Sequence, residues 1–400
     1  MGALTEDWQS GSGGGCYGEK NSAVSGGSAG GKTPQGMTRT ESYLIFNALR
    51  LVGPVRVRKL REVFGGVEGL LGLPTAKMAG VEGVGQAVAE SIRGWEKSFD
   101  LAAELKRMAE LKLQVVDCED PLYPPLLREI HDPPMVLYYR GKIEAVRGAC
   151  IGIVGTREAT GYGIELAKKL GYQLSYAGVG VVSGLARGID TAAHQGALAA
   201  KGRTAGVLGC SMDQMYPAEN RSLAEKMVEE GGCVMSEFCL GTAPDRQTFP
   251  MRNRIVSGLS KGVLVIEAAR ASGAMITAKQ ALEQGRQVFA VPGRIDHPQS
   301  GGCHQLLKDG ARLVESVEDV LAEFEFLIPR SEMPVPVAPT GNLGEEEKKV
   351  LEGLGREEMH VDVLTRKCGL PSPVVSATLL KLELKHRVRQ MPGKYFTRID

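Results

Sequence analysis

The sequence predicts an α/β protein whose core is a mostly parallel β-sheet, with a small helical domain before the sheet and a winged helix after it. Short apolar segments alternate with amphipathic ones from Ala149 to about Glu325, which is typical of parallel strands connected by helices. Shorter helical patterns precede this region. A proline-rich segment follows it and separates it from three further helices and a hairpin.

The first 36 residues are rich in Gly and Ser and are predicted to be a disordered tail. Within them, residues 26–33, GGSAGGKT, match the phosphate-binding pattern G-x-x-x-x-G-K-[ST]. No β-branched run precedes this match, and Pro34 and Gly36 follow where a helix should start. We therefore interpret the match as a product of composition, and expect the folded chain to begin at Met37.

Residues 38–110 are predicted to form a small helical domain. The segments LVGPVRVRKL and VEGVGQAVAESI each place glycine directly before an apolar-periodic helix. Helix-hairpin-helix units have this arrangement, and their turn N–H groups can contact DNA phosphates. A helical domain used for packing or for protein contact fits the same pattern.

Residues 111–327 are predicted to contain the sheet. Its strands are expected in ACIGIVG, VGVVSG, TAGVLG, CVMSE, GVLVIEA and QVFAVPG, and the segments between them have helical periodicity. Such a sheet is covered by helices on both faces. Ligands of such proteins bind beyond the carboxyl ends of the strands.

The C-terminal region is predicted to be a winged helix at residues 344–400, joined to the sheet by a proline-rich linker at 328–343. Gly369 and Pro371 separate its second and third helices, as expected for this motif. The third helix carries more apolar side chains than a DNA-reading helix needs. Contact with DNA and contact with protein therefore both remain open.

Composition excludes several classes of function. The formal net charge is +1, so any site for a polyanion must be built from local clusters of charge. No apolar run approaches the roughly 18 residues that would span a bilayer, and we expect a cytoplasmic protein. The eight cysteines and six histidines show no metal-ligand spacing. We expect no metal and no cofactor.

Three loops at the carboxyl ends of predicted strands are expected to form one anion-binding cradle, because small residues and helix N-termini bring backbone N–H groups to an anion. Tight strand-to-helix turns also use small residues, so each loop alone is a weak signal. Asp190 is expected to cap the helix after the second loop. The candidates are Gly155, Thr156 and Arg157 in the first loop, Ser183, Gly184, Arg187 and Gly188 in the second, and Ser272 and Gly273 in the third.

The segment FPMRNR places Arg252 and Arg254 near the N-terminus of a predicted helix. The helix dipole disfavours a cation there by roughly 0.3 to 1 kcal/mol, so we expect the two guanidinium groups to hold phosphates, or one phosphate and one acidic side chain. A salt bridge to Glu237 or Asp245 is the alternative. Phe249 offers either a face for base stacking or a staple into the core.

In this order, the motifs resemble those of the DprA (Smf) family of DNA-processing proteins. The segments are IGIVGTREATGYG, VSGLARGIDTAAHQGAL, YPAEN, FPMRNRIVSGLS and VIEAARASGAMITAKQALEQGRQVFAVPG. The resemblance is dense from Asp120 to Glu325 and looser in the flanks, as a SAM-like helical domain and a winged helix. It implies an extended Rossmann fold that forms a homodimer, binds single-stranded DNA without sequence preference, and loads the recombinase RecA onto it during natural transformation.

The resemblance also implies where DNA binds: Arg157, the loop from Ser183 to Asp190, and Phe249, Arg252 and Arg254. We add Arg246, Asn253 and Lys279 as candidates; Arg246 is the only basic residue of GTAPDRQT. No catalytic motif such as H-E-x-x-H or G-x-S-x-G occurs in a plausible site context, so we expect no enzyme.

Two other functions remain as alternatives. Related Rossmann proteins that hydrolyse nucleoside monophosphates carry a PGGxGTxxE motif. The corresponding segment here, EAARASGAMITA, lacks both the PGG and the later Glu of that motif. A transcriptional regulator would instead bind duplex DNA through the winged helix.

Overall fold

The computed structural model describes residues 36–324, 344–354, 359–384, 387–391 and 395–398. The chain divides into two compact units, Met1–Met333 and Pro334–Asp400. The predicted Gly/Ser-rich tail up to residue 35, its phosphate-loop match and the predicted linker at 328–343 lie outside the described residues.

The first unit begins with helices that share a hydrophobic core with the edge of the sheet. Thr38 and Glu41 form a capping box that starts the first helix. The apolar cluster beneath the helices includes Phe46 and Leu60, and it continues into Val136 and Tyr138 of a strand. The helices are α1 (Arg39–Ala48), α2 (Pro54–Phe64), α3 (Thr75–Ala79), α4 (Gly85–Arg93) and α5 (Leu101–Glu110).

A nine-stranded sheet follows, in the order β1-β2-β6-β5-β4-β3-β7-β8-β9. The six predicted strands are β3 to β8. They run parallel, which confirms the predicted fold class. The sequence patterns did not indicate the antiparallel β1 and β2 or the short edge strand β9. The strands are β1 (Gln114–Asp117), β2 (Val136–Gly141), β3 (Cys150–Val154), β4 (Gly180–Ser183), β5 (Thr204–Val207), β6 (Cys233–Ser236), β7 (Gly262–Val265), β8 (Gln287–Ala290) and β9 (Arg312–Leu313).

Helices cover both faces of the sheet. Neighbouring residues of one strand, such as Val181 and Val182, belong to apolar clusters on opposite faces, as strand geometry requires. None of the helices in the described ranges combines the length and apolarity of a membrane span. The remaining helices of this unit are α6 (Pro125–Arg128), α7 (Gly161–Tyr176), α8 (Ile189–Ala199), α9 (Arg221–Glu229), α10 (Thr248–Gly258), α11 (Gly273–Glu283), α12 (Gly301–Lys308) and α13 (Val317–Leu321).

The direction of winding changes at β3. Strands β4, β5 and β6 extend the sheet to one side of β3, and β7 and β8 extend it to the other. The loops that leave the carboxyl ends of β3 and β7 therefore separate, and such a switch point opens a crevice for ligands.

The second unit is a winged helix. Gly369, with φ of +63°, ends its second helix in the left-handed conformation. Val375, Leu379 and Leu382 of the third helix are fully buried in the core of the unit, so these three residues serve packing. The elements are α14 (Glu345–Leu354), β10 (Met359–His360), α15 (Val361–Cys368), α16 (Ser372–Leu384), β11 (Val388–Met391) and β12 (Tyr395–Arg398), with β12 between β10 and β11 in the sheet.

Candidate anion-binding cleft

The three predicted loops meet in one cleft of about 270 Å³ at the carboxyl ends of β3, β4 and β7. The first turns of α10 and α11 form its far wall. The predicted residues that line it are Gly155, Thr156, Arg157, Gly184, Phe249, Arg252, Asn253, Ser272 and Gly273.

Glycine brings the first two loops into direct contact. Gly188 has φ of +75°, and a Cβ there would lie 2.3 Å from the carbonyl oxygen of Thr156. A Cβ on Gly155 would lie 2.5 Å from Cγ1 of Ile189. Both distances are shorter than any tolerated contact, so only glycine permits this approach.

The N-terminus of α7 is occupied by the protein itself. Thr160 caps it, since its hydroxyl oxygen accepts a hydrogen bond from the Gly163 N–H at 3.0 Å. Glu267 accepts from the Thr160 N–H at 2.9 Å and from the Thr160 hydroxyl. A carboxylate therefore takes the position in which the helix dipole favours an anion.

The prediction that Asp190 caps α8 is wrong. The helix begins at Ile189 and includes Asp190 in its first turn, and Gly188 is its N-cap. The Asp190 carboxylate instead accepts from the N–H groups of Gly184 at 3.1 Å and Ala186 at 3.3 Å, which closes the second loop. Burial raises the pKa of Asp190, whereas Arg252 and these donors act in the opposite direction.

The N-terminus of α11 is open to the cleft. The first N–H groups of a helix have no carbonyl one turn before them, and no side chain caps those of α11. A Cβ on Gly273 would have no atom within 4 Å, so a ligand can approach its backbone closely. The buried Ser272 hydroxyl has no hydrogen-bond partner among the described residues. This turn is therefore the position in the cleft best suited to an anion.

Arg252 forms part of the cleft wall and is only 4% exposed. Its guanidinium donates to the carbonyl oxygens of Gly184 and Val207, and a Cβ on Gly184 would lie 2.6 Å from its Cζ. Burial lowers the pKa of Arg252, and Asp190 opposes that effect. Its donors hold the second loop to the end of β5. Its positive charge therefore acts on the cleft from a buried position.

Arg254 points away from the cleft, on the other side of α10. It forms a bidentate ion pair with Glu237 at 2.6 and 3.0 Å and a further hydrogen bond to Asp132 at 2.9 Å. The salt bridge to Glu237 considered from the sequence is thus the arrangement found. Because Arg254 is only 7% exposed and does not line the cleft, this pair fixes α10 and holds the guanidinium away from a phosphate in the cleft.

Two aromatic rings lie between two cations along the rim of the cleft. The Arg157 guanidinium carbon lies 4.9 Å from the centre of the Phe249 ring, and that ring lies 6.2 Å from Tyr216. Arg187 lies 6.0 Å from the Tyr216 ring and pairs with Glu219. We call Arg157, Phe249, Tyr216 and Arg187 the rim ladder. Tyr216 is 39% exposed; the motif YPAEN contained it, but sequence reasoning did not select it.

The other predicted residues lie outside the cleft lining. Ser183 is fully buried, and its hydroxyl donates to the carbonyl oxygen of Ile153 at 2.6 Å. Arg246 is exposed in the loop before α10. Lys279 is exposed on a different face of α11, 3.8 Å from Glu283.

His194 is fully buried in the core. Its Nδ1 lies 2.7 Å from the Thr204 hydroxyl, which donates to the carbonyl oxygen of Val181, so Nδ1 carries the proton. Burial lowers the pKa of His194 to about 3, with a further contribution from Arg252. Its role is structural. Across the described ranges, no group of three His, Cys, Asp or Glu side chains is placed to hold a metal ion.

These features define a Rossmann-like protein with an open helix N-terminus in its cleft, a rim ladder of cations and aromatic rings, and a winged helix. Residues 114–325 match the family model of DNA recombination-mediator protein A, and residues 334–394 match that of the DprA winged helix domain. The chain belongs to the DNA recombination-mediator protein A (DprA) family.

Its relatives include the protein Smf of Synechocystis, 34% identical over 392 residues, which are 89% of this chain and 98% of the relative. The DNA processing protein DprA of Bacillus subtilis is 46% identical over 202 residues, which are 50% of this chain and 68% of the relative. The X-ray structure of DNA processing protein A from Streptococcus pneumoniae superposes with a TM-score of 0.62 at 36% identity. That match covers 72% of this chain and 99% of the other.

Proposed function

We propose that this protein binds single-stranded DNA without sequence preference in the cleft and loads RecA onto the bound strand during natural transformation. The observation that carries the proposal is the open N-terminus of α11 beside the rim ladder. The membership of a recombination-mediator family supports the second step. We further propose that the protein acts as a homodimer in the cytoplasm and has no catalytic step.

Each part of the cleft suits a different part of a DNA strand. The N–H groups of Gly273 and Ala274 and the Ser272 hydroxyl suit one phosphate. The rings of Phe249 and Tyr216 suit bases, because every base offers a face for stacking. None of these groups is arranged to read base edges, so we expect affinity without sequence preference.

A local site is required because the chain as a whole is nearly neutral, with a formal net charge of +1. Arg157 and Arg187 place two guanidinium groups next to the aromatic rings of the rim ladder. Guanidinium groups bind phosphate and also stack on rings. We therefore expect the affinity to fall with salt, but with a small slope that corresponds to few phosphates.

The test is fluorescence anisotropy of labelled oligonucleotides, single-stranded in two unrelated sequences and double-stranded, over a salt series. Arg157→Ala should weaken single-strand binding and lower the salt slope by about 0.7. Arg147→Ala is the matched control, since Arg147 is exposed just before β3, at the opposite end of the sheet. Equal effects of the two variants, or a preference for duplex, would refute the cleft as the DNA site.

The loading step needs a separate measurement. The rate at which RecA filaments form on single-stranded DNA should rise with wild-type protein and not with Arg157→Ala. An unchanged rate with wild-type protein that does bind DNA would refute loading and leave DNA binding in place.

A further inference from the structure

A second and larger cavity lies on the other side of α10 from the cleft, between α10 and α2. Its volume is about 510 Å³, which is within the range of roughly 300 to 1,000 Å³ that small-ligand pockets occupy. It is lined by Val55, Arg56 and Lys59 of α2, by Pro250, Met251 and Arg254 of α10, and by residues of neighbouring loops that include Asp132 and Glu237. We call it the α2–α10 cavity.

The cavity lining has one more cation than carboxylates, since Arg56, Lys59 and Arg254 face Asp132 and Glu237. Both carboxylates pair with Arg254, so the excess positive charge lies on the α2 side. Arg56 donates to the carbonyl oxygens of Gly83 at 2.9 Å and Leu51 at 2.8 Å.

Lys59 donates to the carbonyl oxygen of Glu82 at 3.3 Å. Carbonyl groups orient a cation but leave its charge in place. Arg56 and Lys59 are three residues apart and so lie on one face of α2, where they can hold one phosphate together.

The remaining walls suit a flat apolar group. Val55 of α2 and Pro250 and Met251 of α10 contribute apolar side chains to the cavity. An apolar pocket with cations at one end fits a base attached to a phosphate. A nucleotide therefore fits this lining better than a peptide, which would require backbone partners along its length.

The two sites are separated only by the first turn of α10. Phe249 lines the cleft, and the next two residues, Pro250 and Met251, line the α2–α10 cavity. A helix with its side chains is about 10 to 12 Å across, so a strand that stacks on Phe249 can pass around this turn and place a nearby nucleotide in the cavity. We propose that the α2–α10 cavity is a second nucleotide subsite, with the phosphate on Arg56 and Lys59 and the base against Val55 and Met251.

The nucleotide in the cavity can be part of a bound DNA strand or a free nucleotide, since both have the same chemistry. In the first case the inference rests on the proposed function. A length series of about 4 to 16 nucleotides distinguishes the two sources. Lys59→Ala should leave the shortest oligonucleotides unaffected, and should weaken binding of longer ones with a salt slope lower by about 0.7. Lys77→Ala, at an exposed position on α3, is the matched control.

Photo-crosslinking tests the same subsite in the wild-type chain and requires no substitution. Oligonucleotides carrying 4-thiothymidine at one position at a time should crosslink to residues 54–59 of α2 from a position within a few nucleotides of the one that crosslinks to Phe249. Crosslinks to the cleft without any to α2 would exclude the bound strand as the source of the nucleotide while leaving the proposed function intact.

Saturation-transfer NMR with dAMP tests the free nucleotide. A signal that Lys59→Ala removes and Lys77→Ala retains, without any length dependence for oligonucleotides, would assign the cavity to a free nucleotide. If dAMP gives no such signal and no crosslink reaches α2, the proposal fails. If the wild-type protein binds no oligonucleotide at all, the proposed function fails. The saturation-transfer signal of dAMP is then the only test of whether the cavity binds a nucleotide.

Discussion

Gly273→Ala should separate DNA binding from folding. A Cβ at this position would have no atom within 4 Å, so alanine fits without strain. Because alanine also favours a helix, the free energy of unfolding should stay the same or rise by up to about 1 kcal/mol. A helical Cβ tilts toward the N-terminus, and at Gly273 that is where the phosphate is proposed to bind.

The expected loss of affinity follows from the hydrogen bond that the methyl group obstructs. A hydrogen bond to a charged group contributes about 1.5 to 3 kcal/mol, which corresponds to about a 10- to 150-fold rise in Kd for single-stranded DNA. Anisotropy measures the Kd, and urea denaturation measures the free energy of unfolding.

Gly161→Ala is the matched control. Gly161 is the first residue of α7, and a Cβ there also has no atom within 4 Å. The N-terminus of α7 is already occupied by Thr160 and Glu267, so this substitution should leave the Kd unchanged. If both variants bind DNA as tightly as wild type, or both lose affinity equally, the phosphate does not bind at α11.

Three further substitutions test the rim and the core. Tyr216→Ala should raise the Kd about 5- to 150-fold, since stacking on one base contributes about 1 to 3 kcal/mol, whereas Tyr216→Phe should not; equal anisotropy curves would contradict this. Arg254→Ala should lower the free energy of unfolding by about 3 to 5 kcal/mol, because Glu237 remains buried without its partner, and adding Glu237→Gln should restore part of it in urea denaturation. His194 has a pKa of about 3 in the folded protein and about 6.5 when unfolded, so the unfolded chain binds the extra proton between these values. Stability should therefore fall by about 2 kcal/mol from about pH 8 to about pH 5, and His194→Gln should lack this component.

The parallel sheet could be predicted because each buried strand is a short apolar run with β-branched residues, such as CIGIV and GVLV. The antiparallel strands β1 and β2 could not. They combine polar and aromatic residues, as in QVVD and VLYYRG, and their pairing depends on partners distant in the sequence. In such strands tertiary packing decides the conformation more than propensity does.

The loops of the cleft could be predicted from their small residues and their position after strands. The direction of each side chain could not. Arg252 and Arg254 are two residues apart, which on a helix means about 200° of rotation, so they serve opposite sides of α10. Which of them lies beside the cleft depends on Glu237 and Asp132, which come from other parts of the chain.

The use of internal carboxylates suits a protein that binds a polymer. In a dinucleotide-binding Rossmann protein, the pyrophosphate occupies the helix N-terminus after the first strand. Here Glu267 holds that position at α7, and Asp190 takes the N–H groups of the second loop. A small nucleotide would gain too few contacts from the open N-terminus of α11. A DNA strand presents a phosphate and a base at every step. It can therefore combine one phosphate bound at α11 with stacking on the rim ladder and a nucleotide in the α2–α10 cavity. A free nucleotide in the cleft cannot make all of these contacts at once.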